Sequence, residues 1–594
     1  MSGDQAGRLA RLRDRLAERG VDGLFLPRTD EHGSEYLPAS AERVAWLTGF
    51  TGSAAQVVVL RDKAAVFTDG RYTVQVAQEV DEALFERPHV VSDPPAKWIE
   101  ANLPEGARLG FDPFLVTRGQ RDRIAKAVEA RGGSLVPLDP DPVGEVWADR
   151  PAPPVSRVEA LDERFAGEAG ASKRARMGDA VAGKGADWLL LTGADAVAWL
   201  LNVRGSDIPY NPLCLSFALL GADATCRWFV DPRKLPDDGS LPLGNGVGPE
   251  PADGLLDALD ALGRAGAKVL VDPDEVHLGF IERLSAAGAK LVEGESPVLL
   301  AKACKNATEI QGAVDAQRRD GAAVARFLAW LDARAPEGGL DEIAVAERLL
   351  EERAKDPLFR GESFPAISAH GPNSALPHYR SVPASNRPLT PGTLYLIDSG
   401  GQYLDATTDI TRTVALGEPT AEMRERFTLV LKGHVAIATA VFPEGTSGAQ
   451  IDALARLALW RRGLDFDHGT GHGIGAYLCV HEGPARIAKT GGVPLKPGMI
   501  LSDEPGYYKA GEYGIRIENL LVVEPREAPD GAEKPLLGFR TLTLCPIDRR
   551  LIDVGLLTPE ERAWVDAYHA RVLEEIRPLA DGAAGWLEEA CAPL

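Results

Sequence analysis

Cysteine is scarce in this chain, and basic residues are outnumbered by acidic ones. Its six cysteines among 594 residues form no CxxC pair, which argues against a disulfide framework and against a zinc ribbon. Lys and Arg total 65 against 87 Asp and Glu, and the net charge of -22 disfavours binding to nucleic acid or anionic membranes. We therefore expect a reducing, cytoplasmic environment, with no nucleic-acid partner and no membrane partner.

Long hydrophobic runs are also missing. The most apolar stretch, WLLLTGADAVAWLLNV, contains Asp195 and is shorter than a comfortable membrane span. The N-terminus has the pattern of a charged amphipathic helix and lacks the apolar core of a signal peptide. Hydrophobic content of 45% and charged content of 26% are typical of a soluble globular protein, and 594 residues predict several domains.

The first half of the chain contains a diverged duplication. GVDGLFL (20–26) recurs as GADWLLL (185–191), VAWLTGFTGS (44–53) recurs as VAWLLNVRGS (197–206), and FTDGRY (67–72) has a weaker echo in FVDPRK (229–234). In both copies an amphipathic helix precedes a short apolar run that fits a buried strand. We expect two tandem α/β domains of similar fold.

Two boundaries follow from composition. The segment 137–155 carries six prolines, which exclude a continuous helix or a central strand. A long helical pattern opens just after residue 303. We expect an α/β (α+β) protein whose domains span 1–145, 156–303 and 304–594.

Four acids and one histidine of the third domain lie in short apolar or glycine-rich motifs. They are Asp398 in YLIDSG, Asp409 in TTDITRT, His472 in GTGHGIG, Glu504 in SDEPGYY and Glu518 in GIRIEN. Burying unpaired carboxylates costs several kcal/mol unless a cation or hydrogen bonds compensate them. Five such ligands suffice for two divalent ions, and a two-metal site that activates water favours hydrolysis.

The spacing allows these acids to meet. Asp398 and Asp409 flank a loose connection between two strand-like runs, and Glu504 and Glu518 flank the turn-rich YYKAGEYG. Each acid taken singly reads as ordinary surface charge, and only the set argues for ligands. The loop HGTGHGIG could also cradle a phosphate, but it lacks both common nucleotide-binding spacings. Four oxygen ligands and one nitrogen ligand suit Mn2+, while Co2+, Fe2+ or Zn2+ also fit.

With these motifs the chain resembles a known family, the three-domain, cytosolic-type Xaa-Pro aminopeptidases (aminopeptidase P) of the creatinase and methionine aminopeptidase superfamily. The resemblance runs from SEYLPASAERVAWLTGFTGSA through AWLLNVRGSDIPYNP to FPAISAHG, LIDSGGQY, VHEGP and GIRIEN. It implies two creatinase N-terminal-like domains followed by a pita-bread metallopeptidase domain. It also implies a homodimer.

The resemblance assigns roles to residues. It makes Asp398 the bidentate ligand of one metal, Asp409 and Glu518 the bridging acids, and His472 and Glu504 the remaining ligands. Three catalytic histidines would contact substrate and stabilise the oxyanion, and two further residues would line the active site: His378, His468, His481, Tyr508 and Arg516. Glu504 would carry a proton to the leaving proline nitrogen.

The implied reaction is attack of a metal-bridging hydroxide on the N-terminal Xaa-Pro bond of a peptide whose second residue is proline. Rival interpretations remain at this stage. A prolidase shares the ligand set but normally has one N-terminal domain, methionine aminopeptidase lacks both, and creatinase-like hydrolases lose the acids. Pita-bread proteins that bind partners without catalysis are the non-enzymatic alternative. The amphipathic C-terminal tail is expected to pack on the third domain or on a second subunit.

Overall fold

The fold is known from a computed structural model that describes residues 4–237 and 241–594. Residues 1–3 of the first expected domain and 238–240 of the second lie outside the described residues. The chain forms two compact units, one containing residues up to Leu161 together with Glu168–Val298, the other Asp162–Gly167 together with Leu299–Leu594. Among the described residues, no helix is both long enough and apolar enough to cross a membrane.

The first half of unit 1 is a mixed sheet with helices around it. Its strands are β1 (Gly23–Pro27), β2 (Gln56–Leu60), β3 (Ala64–Phe67), β4 (Arg108–Phe111) and β5 (Ser134–Pro137). Its helices are α1 (Gln5–Glu18), α2 (Arg43–Thr48), α3 (Thr73–Glu79), α4 (Pro95–Asn102), α5 (Arg118–Glu129) and α6 (Pro142–Val146). The sheet order is β3-β2-β1-β4-β5, and β1 and β2 are almost wholly buried because their residues are nearly all apolar.

The second half of unit 1 repeats this plan. Its strands are β6 (Glu159–Ala160), β7 (Trp188–Leu191), β8 (Val203–Arg204), β9 (Phe217–Gly221), β10 (Cys226–Phe229), β11 (Val247–Glu250), β12 (Lys268–Val271) and β13 (Lys290–Glu293). After α7 (Glu163–Ala166), which belongs to unit 2, its helices are α8 (Gly170–Gly183), α9 (Ala194–Leu201), α10 (Leu255–Arg264) and α11 (Leu278–Ala287).

The main sheet of this half has the order β11-β10-β9-β7-β12-β13. Apart from the added edge strand β11, the order and directions match the first sheet, because β7 pairs antiparallel to β9 and parallel to β12 just as β1 pairs antiparallel to β2 and parallel to β4. The weakly similar segments FTDGRY and FVDPRK also begin at equivalent positions, since Phe67 is the last residue of β3 and Phe229 is the last residue of β10. The predicted duplication is confirmed.

Unit 2 contains the remaining elements, after α12 (Pro297–Ala303), which runs into it from unit 1. Its helices are α13 (Ala307–Arg334), α14 (Glu342–Arg353), α15 (Ala421–Ala438), α16 (Gly448–Trp460), α17 (Pro559–Ile576) and α18 (Ala584–Ala590). Its strands are β14 (Phe359–Glu362), β15 (Ile367–His370), β16 (Thr393–Ser399), β17 (Gly401–Tyr403), β18 (Ala406–Thr407), β19 (Ile410–Leu416), β20 (Val441–Pro443), β21 (Gly471–Gly473), β22 (Glu482–Ile487), β23 (Ile500–Asp503), β24 (Gly506–Lys509), β25 (Tyr513–Arg516), β26 (Asn519–Arg526) and β27 (Leu536–Thr541).

Two sheets of unit 2 carry the motif residues. One has the order β15-β16-β19, and the other has the order β20-β27-β26-β23-β21-β22. Helices α15 and α16 and the C-terminal α17 and α18 share one apolar core with these strands, to which Val565, Val572 and Leu587 contribute buried side chains. The C-terminal tail therefore packs on the domain that carries the motifs.

Asn306 connects the short helix α7 to the start of α13. Its side-chain oxygen accepts the backbone N–H groups of Thr308 and Glu309, which caps α13. Its side-chain amide donates to the Ala166 carbonyl at 2.8 Å. A detached segment of the chain is thus held against the first long helix of unit 2.

Candidate metal centre

Strand pairing brings the first two acids together. β16 and β19 are antiparallel with Asp398 opposite Thr411, and Asp409 directly precedes β19. Both carboxylates are buried, with exposed fractions of 7% for Asp398 and 4% for Asp409. The hairpin-like pairing predicted from their spacing is confirmed.

The second pair of acids is placed in the same way. β23 and β26 are antiparallel with Asp503 opposite Asn519, so Glu504 follows one strand and Glu518 precedes the other. The connection between them folds into the small hairpin of β24 and β25. The hydroxyl of Thr411 donates to Glu518 Oε2 at 2.7 Å, which links this pair to the β16–β19 hairpin.

His472 supplies the nitrogen. It lies in β21, and its Nδ1 is 3.0 Å from the Gly473 carbonyl, which makes Nδ1 the protonated nitrogen. Its Nε2 faces the acids, 3.6 Å from Asp409 Oδ2 and 3.4 Å from Glu504 Oε1. Glycine is required beside it, because a Cβ on Gly471 would collide with the Ser502 carbonyl oxygen. The glycine-rich motif thus serves close strand packing.

The ligand atoms converge. One atom each from Asp409, His472 and Glu518 lie within 4.8 Å of one another, as expected of residues that hold an ion. Glu504 joins this group through His472. Asp398 accepts from Arg516 Nη2 at 2.6 Å, and Arg516 Nε donates to the Thr411 hydroxyl that in turn donates to Glu518.

The acids are short of partners. Within the part of the chain that the structure describes, Asp398 Oδ1, Asp409 Oδ1 and Glu518 Oε1 are buried and accept no hydrogen bond. Burial, followed by repulsion from the neighbouring carboxylates, raises the pKa of Asp409 and Glu518 well above the usual range. Burial also raises the pKa of Glu504 to about 7, although Arg516 opposes the shift. Such a concentration of uncompensated negative charge is what a divalent cation neutralises.

Tyr508 and Arg516 form a directed chain with His468. Arg516 Nη1 donates to the Tyr508 hydroxyl at 2.6 Å, and that hydroxyl lies 2.7 Å from His468 Nε2. Because arginine only donates, the tyrosine proton points to His468, whose Nδ1 donates to the Gly469 carbonyl at 2.8 Å. Arg516 therefore joins the acid Asp398 to two other motif residues.

His481 lies against the metal-facing histidine. Its ring makes an edge contact with that of His472, with centroids 4.3 Å apart. The next residue, Glu482, is buried between the ammonium groups of Lys302 and Lys305, with Lys302 Nζ at 2.8 Å. This buried triad fixes the backbone beside His481.

His378 lies half-buried in the loop between β15 and β16. One carboxylate, that of Glu342 at the start of α14, organises this loop. It accepts hydrogen bonds from His370 N at 2.7 Å, Asn373 Nδ2 at 3.0 Å, the Tyr379 hydroxyl at 2.7 Å and Arg387 N at 2.9 Å. Arg516 reaches the same loop through the Pro377 carbonyl at 3.2 Å.

Sequence reasoning missed Glu342 and the Lys302–Glu482–Lys305 triad. Glu342 follows Asp341 in a helix-opening LDE pattern, where an exposed acid favoured by the helix dipole is the usual interpretation. Glu482 lies in the VHEGP motif directly after His481, and this position could have indicated that the acid supports the histidine.

Family models match most of the chain. Residues 312–525 match metallopeptidase family M24, and 535–594 match the C-terminal region of that family. Residues 8–145 and 149–309 each match a creatinase/prolidase N-terminal domain. A probable Xaa-Pro aminopeptidase P of Laccaria bicolor is 39% identical over 99% of this chain and 93% of its own length. The chain belongs to metallopeptidase family M24.

Two further proteins are similar over most or all of their length. Aminopeptidase P2 of Arabidopsis thaliana is 39% identical over 97% of this chain and 86% of its own. The crystal structure of X-prolyl aminopeptidase from Caenorhabditis elegans, described as a cytosolic enzyme with a di-nuclear active site, superposes with a TM-score of 0.94 at 35% identity and covers 100% of both chains. M24 membership and this likeness together make the chain a metallopeptidase with two divalent metals.

Proposed function

We propose that this chain is an Xaa-Pro aminopeptidase, which removes the N-terminal residue from peptides whose second residue is proline. The observation that carries the proposal is the convergence of buried, under-partnered carboxylates on His472. Whole-length similarity to aminopeptidases P, both N-terminal repeats included, supports this substrate class over the dipeptides of a prolidase.

The donor set fits two divalent cations. The residues that would hold them are Asp398, Asp409, His472, Glu504 and Glu518. Three of these acids each have one buried oxygen that accepts no hydrogen bond among the described residues, and such an oxygen can coordinate a cation. Four carboxylates and one imidazole favour Mn2+, with Co2+ or Zn2+ as alternatives. When bound, the ions polarise the scissile carbonyl and acidify water.

The surrounding side chains would handle the substrate. His378, His468 and His481 offer imidazoles to the scissile group and to the developing oxyanion. Tyr508 orients the ring of His468, and Arg516 holds Tyr508, Asp398 and the His378 loop together. Glu504 would hold a proton and deliver it to the proline nitrogen as the bond breaks.

Selectivity for proline must come from shape. The nitrogen of the Xaa-Pro bond carries no hydrogen, so a backbone hydrogen bond to it is impossible and a pocket fitted to the ring is required. The half-buried aromatic residue Tyr508, beside His468, is positioned to contribute such a wall.

The remaining assignments are also proposals. We assign the domains to 1–145, 156–303 and 304–594, place the protein in the cytoplasm and infer a homodimer. An exposed apolar stripe on α16 supports association, since Leu454, Leu457 and Trp460 are 39%, 45% and 43% exposed. Light scattering after size-exclusion chromatography tests it, and Trp460→Glu is expected to give monomers if this stripe is the interface.

Hydrolysis of three matched substrates tests the function. In the presence of Mn2+, we expect cleavage of an Xaa-Pro-Xaa tripeptide and neither of an Xaa-Pro dipeptide nor of an Xaa-Ala-Xaa tripeptide. Preference for the dipeptide would make the enzyme a prolidase. Cleavage of none by the folded, metal-loaded protein would favour a non-catalytic binding protein.

A further inference from the structure

A chain of buried hydrogen bonds runs behind the ligand-bearing strands. Arg412 Nη2 donates to Asn519 Oδ1 at 2.9 Å, and Asn519 Nδ2 lies 2.9 Å from His434 Nε2. His434 Nδ1 lies 3.1 Å from the Asp503 carbonyl oxygen and 3.0 Å from Asp503 Oδ2. All four residues are buried, with exposed fractions of 2% for Arg412 and 0% for the others.

The direction of this chain is fixed by its arginine. A guanidinium has donors and no acceptor, so the Asn519 atom facing Arg412 must be the amide oxygen. The Tyr568 hydroxyl, 3.3 Å from the same oxygen, is consistent with this orientation. The Asn519 NH2 group therefore donates to His434 Nε2, and the proton of the neutral imidazole must reside on Nδ1, where it faces Asp503.

Two residues of this hydrogen-bond chain are sequence neighbours of metal ligands. Asn519 follows Glu518, and Asp503 precedes Glu504. Asp503 and Asn519 are directly opposite each other in the β23–β26 ladder, and His434 on α15 bonds to both. Arg412 also fixes the backbone of Glu518 directly, because its Nη1 donates to the Glu518 carbonyl at 2.6 Å.

Within the described residues, the Asp503 carboxylate oxygens accept no conventional hydrogen bond, so the imidazole is the polar group that faces them. A buried carboxylate with a single such neighbour strongly constrains where its backbone can lie. Because ligands must be held to a few tenths of an ångström, a small change in the Asp503–Asn519 separation would move Glu504 relative to Glu518.

We propose that His434 is a positioning residue for the metal site: as the Nδ1-protonated tautomer it joins the strands that carry Glu504 and Glu518 and so sets the affinity for the metals. The inference rests on the proposed function only in taking these acids as ligands. His434 itself contacts neither metal nor substrate.

Two substitutions separate the two bonds. His434→Gln retains an acceptor for Asn519 and loses the donor to Asp503, whereas His434→Asn retains a donor near Asp503 and loses the acceptor. The matched control is His569→Gln, because His569 is also fully buried in unit 2 and accepts Ile547 N–H at 3.1 Å through Nε2, away from the ligands.

The readouts are Mn2+ titration calorimetry, the visible spectrum of the Co2+-loaded protein, and thermal unfolding. We expect both His434 variants to bind Mn2+ about 10- to 100-fold more weakly, with an altered Co2+ spectrum and with activity restored by excess metal. The His569 variant is expected to lose stability but to keep wild-type affinity and spectrum.

Folded His434 variants with unchanged metal affinity and an unchanged Co2+ spectrum would overturn the proposal. If neither variant folds, Tyr568→Phe removes a hydroxyl that lies 3.3 Å from Asn519 Oδ1 and accepts from Arg412 Nη2 at 3.0 Å. About a two- to fivefold loss of affinity is then expected, and an unchanged value would contradict the proposal. Wild-type protein that binds two metals but cleaves no Xaa-Pro peptide would refute the proposed function and leave this inference intact. Wild-type protein that binds no metal would refute both.

Discussion

The acids around His472 and the buried acid Asp207 of unit 1 differ in what surrounds them. Asp207 accepts hydrogen bonds from Ser156 N at 3.0 Å and from Leu215 N at 2.8 Å, and its Oδ2 pairs with Lys234 Nζ at 2.6 Å. Asp409, at a similar depth, faces other carboxylates. Both environments bury negative charge. Lys234 neutralises Asp207, whereas among the described residues Asp398 is the only one of the four ligand acids that pairs with a lysine or arginine, Arg516.

The presence or absence of a basic partner distinguishes acids that stabilise the fold from acids that bind a cation. A paired carboxylate stabilises the fold as it stands, so removing it leaves an uncompensated partner. A clustered carboxylate destabilises the metal-free fold and becomes favourable when a cation binds. Substitutions in the two regions should therefore have opposite signatures.

The largest effect is expected from Asp409→Asn. Removing a bridging charge should lower peptide hydrolysis by roughly a thousandfold or more and reduce bound metal. The metal-free variant should melt no lower than metal-free wild type, because one repelling carboxylate is gone. Hydrolysis assays, metal analysis by mass spectrometry and differential scanning fluorimetry measure these quantities. Full activity at normal metal content would contradict the site assignment.

Asp207→Asn should show the reverse. It leaves Lys234 buried beside a neutral amide, which is expected to cost about 3–5 kcal/mol of stability. Mn2+ affinity, measured by calorimetry, should stay at the wild-type value. If this variant loses metal affinity as Asp409→Asn does, the distinction between a structural acid in unit 1 and a metal ligand in unit 2 is wrong.

Metal removal should depend on pH. Burial raises the pKa of Glu504 to about 7, so the folded metal-free protein keeps a proton that an unfolded chain releases near its ordinary pKa of about 4.3. The metal-free fold therefore loses stability as pH rises through this window, by on the order of 3–4 kcal/mol, while bound cations replace the proton.

The difference in melting temperature between Mn2+-loaded and EDTA-treated protein should accordingly be larger at about pH 7.5 than at about pH 5.5. Glu504→Gln is the control, because it removes one of the acids whose pKa is raised and should weaken this dependence. An equal difference at both pH values in wild type would argue against proton release on metal binding.

Glu342→Gln should have the smallest effect. Glu342 is a buried acid whose oxygens accept hydrogen bonds, as those of Asp207 do, but its donors belong to the loop that carries His378. We expect kcat to fall about tenfold with unchanged Mn2+ affinity, because the loop is less well held. The matched control is Glu352→Gln on the same helix, whose carboxylate pairs with Arg326 and Arg348. If both variants lose only stability, Glu342 is structural.

The fold and much of the site geometry were predictable from local patterns. Apolar runs separated by turn residues predicted the β16–β19 and β23–β26 pairings, and the repeated GVDGLFL and GADWLLL segments predicted two similar sheets. These features depend on short stretches of sequence, in which alternation and turn residues carry the information.

The connections between motifs were not predictable. Arg516 meets Asp398 and Pro377 only after the chain has folded back over more than a hundred residues, and no local pattern encodes that. In the sequence, Glu342 resembled an exposed acid at the start of a helix. Its burial depends on a loop that is distant in sequence, so the local pattern did not reveal it. Sequence patterns identify reactive residue types, whereas their supports are long-range contacts.

The bond between Asn306 and the Ala166 carbonyl has a practical consequence for the expression of single domains. A fragment beginning at residue 299 or at the family-matched residue 312 would omit α7, and the later start would also delete the cap of α13. The fragment from residue 312 would begin with an uncapped, fraying helix, and the fragment from residue 299 would lack the Ala166 carbonyl that accepts from Asn306. Excision of the M24 domain should therefore retain Asp162–Gly167, by circular permutation or by co-expression of that peptide.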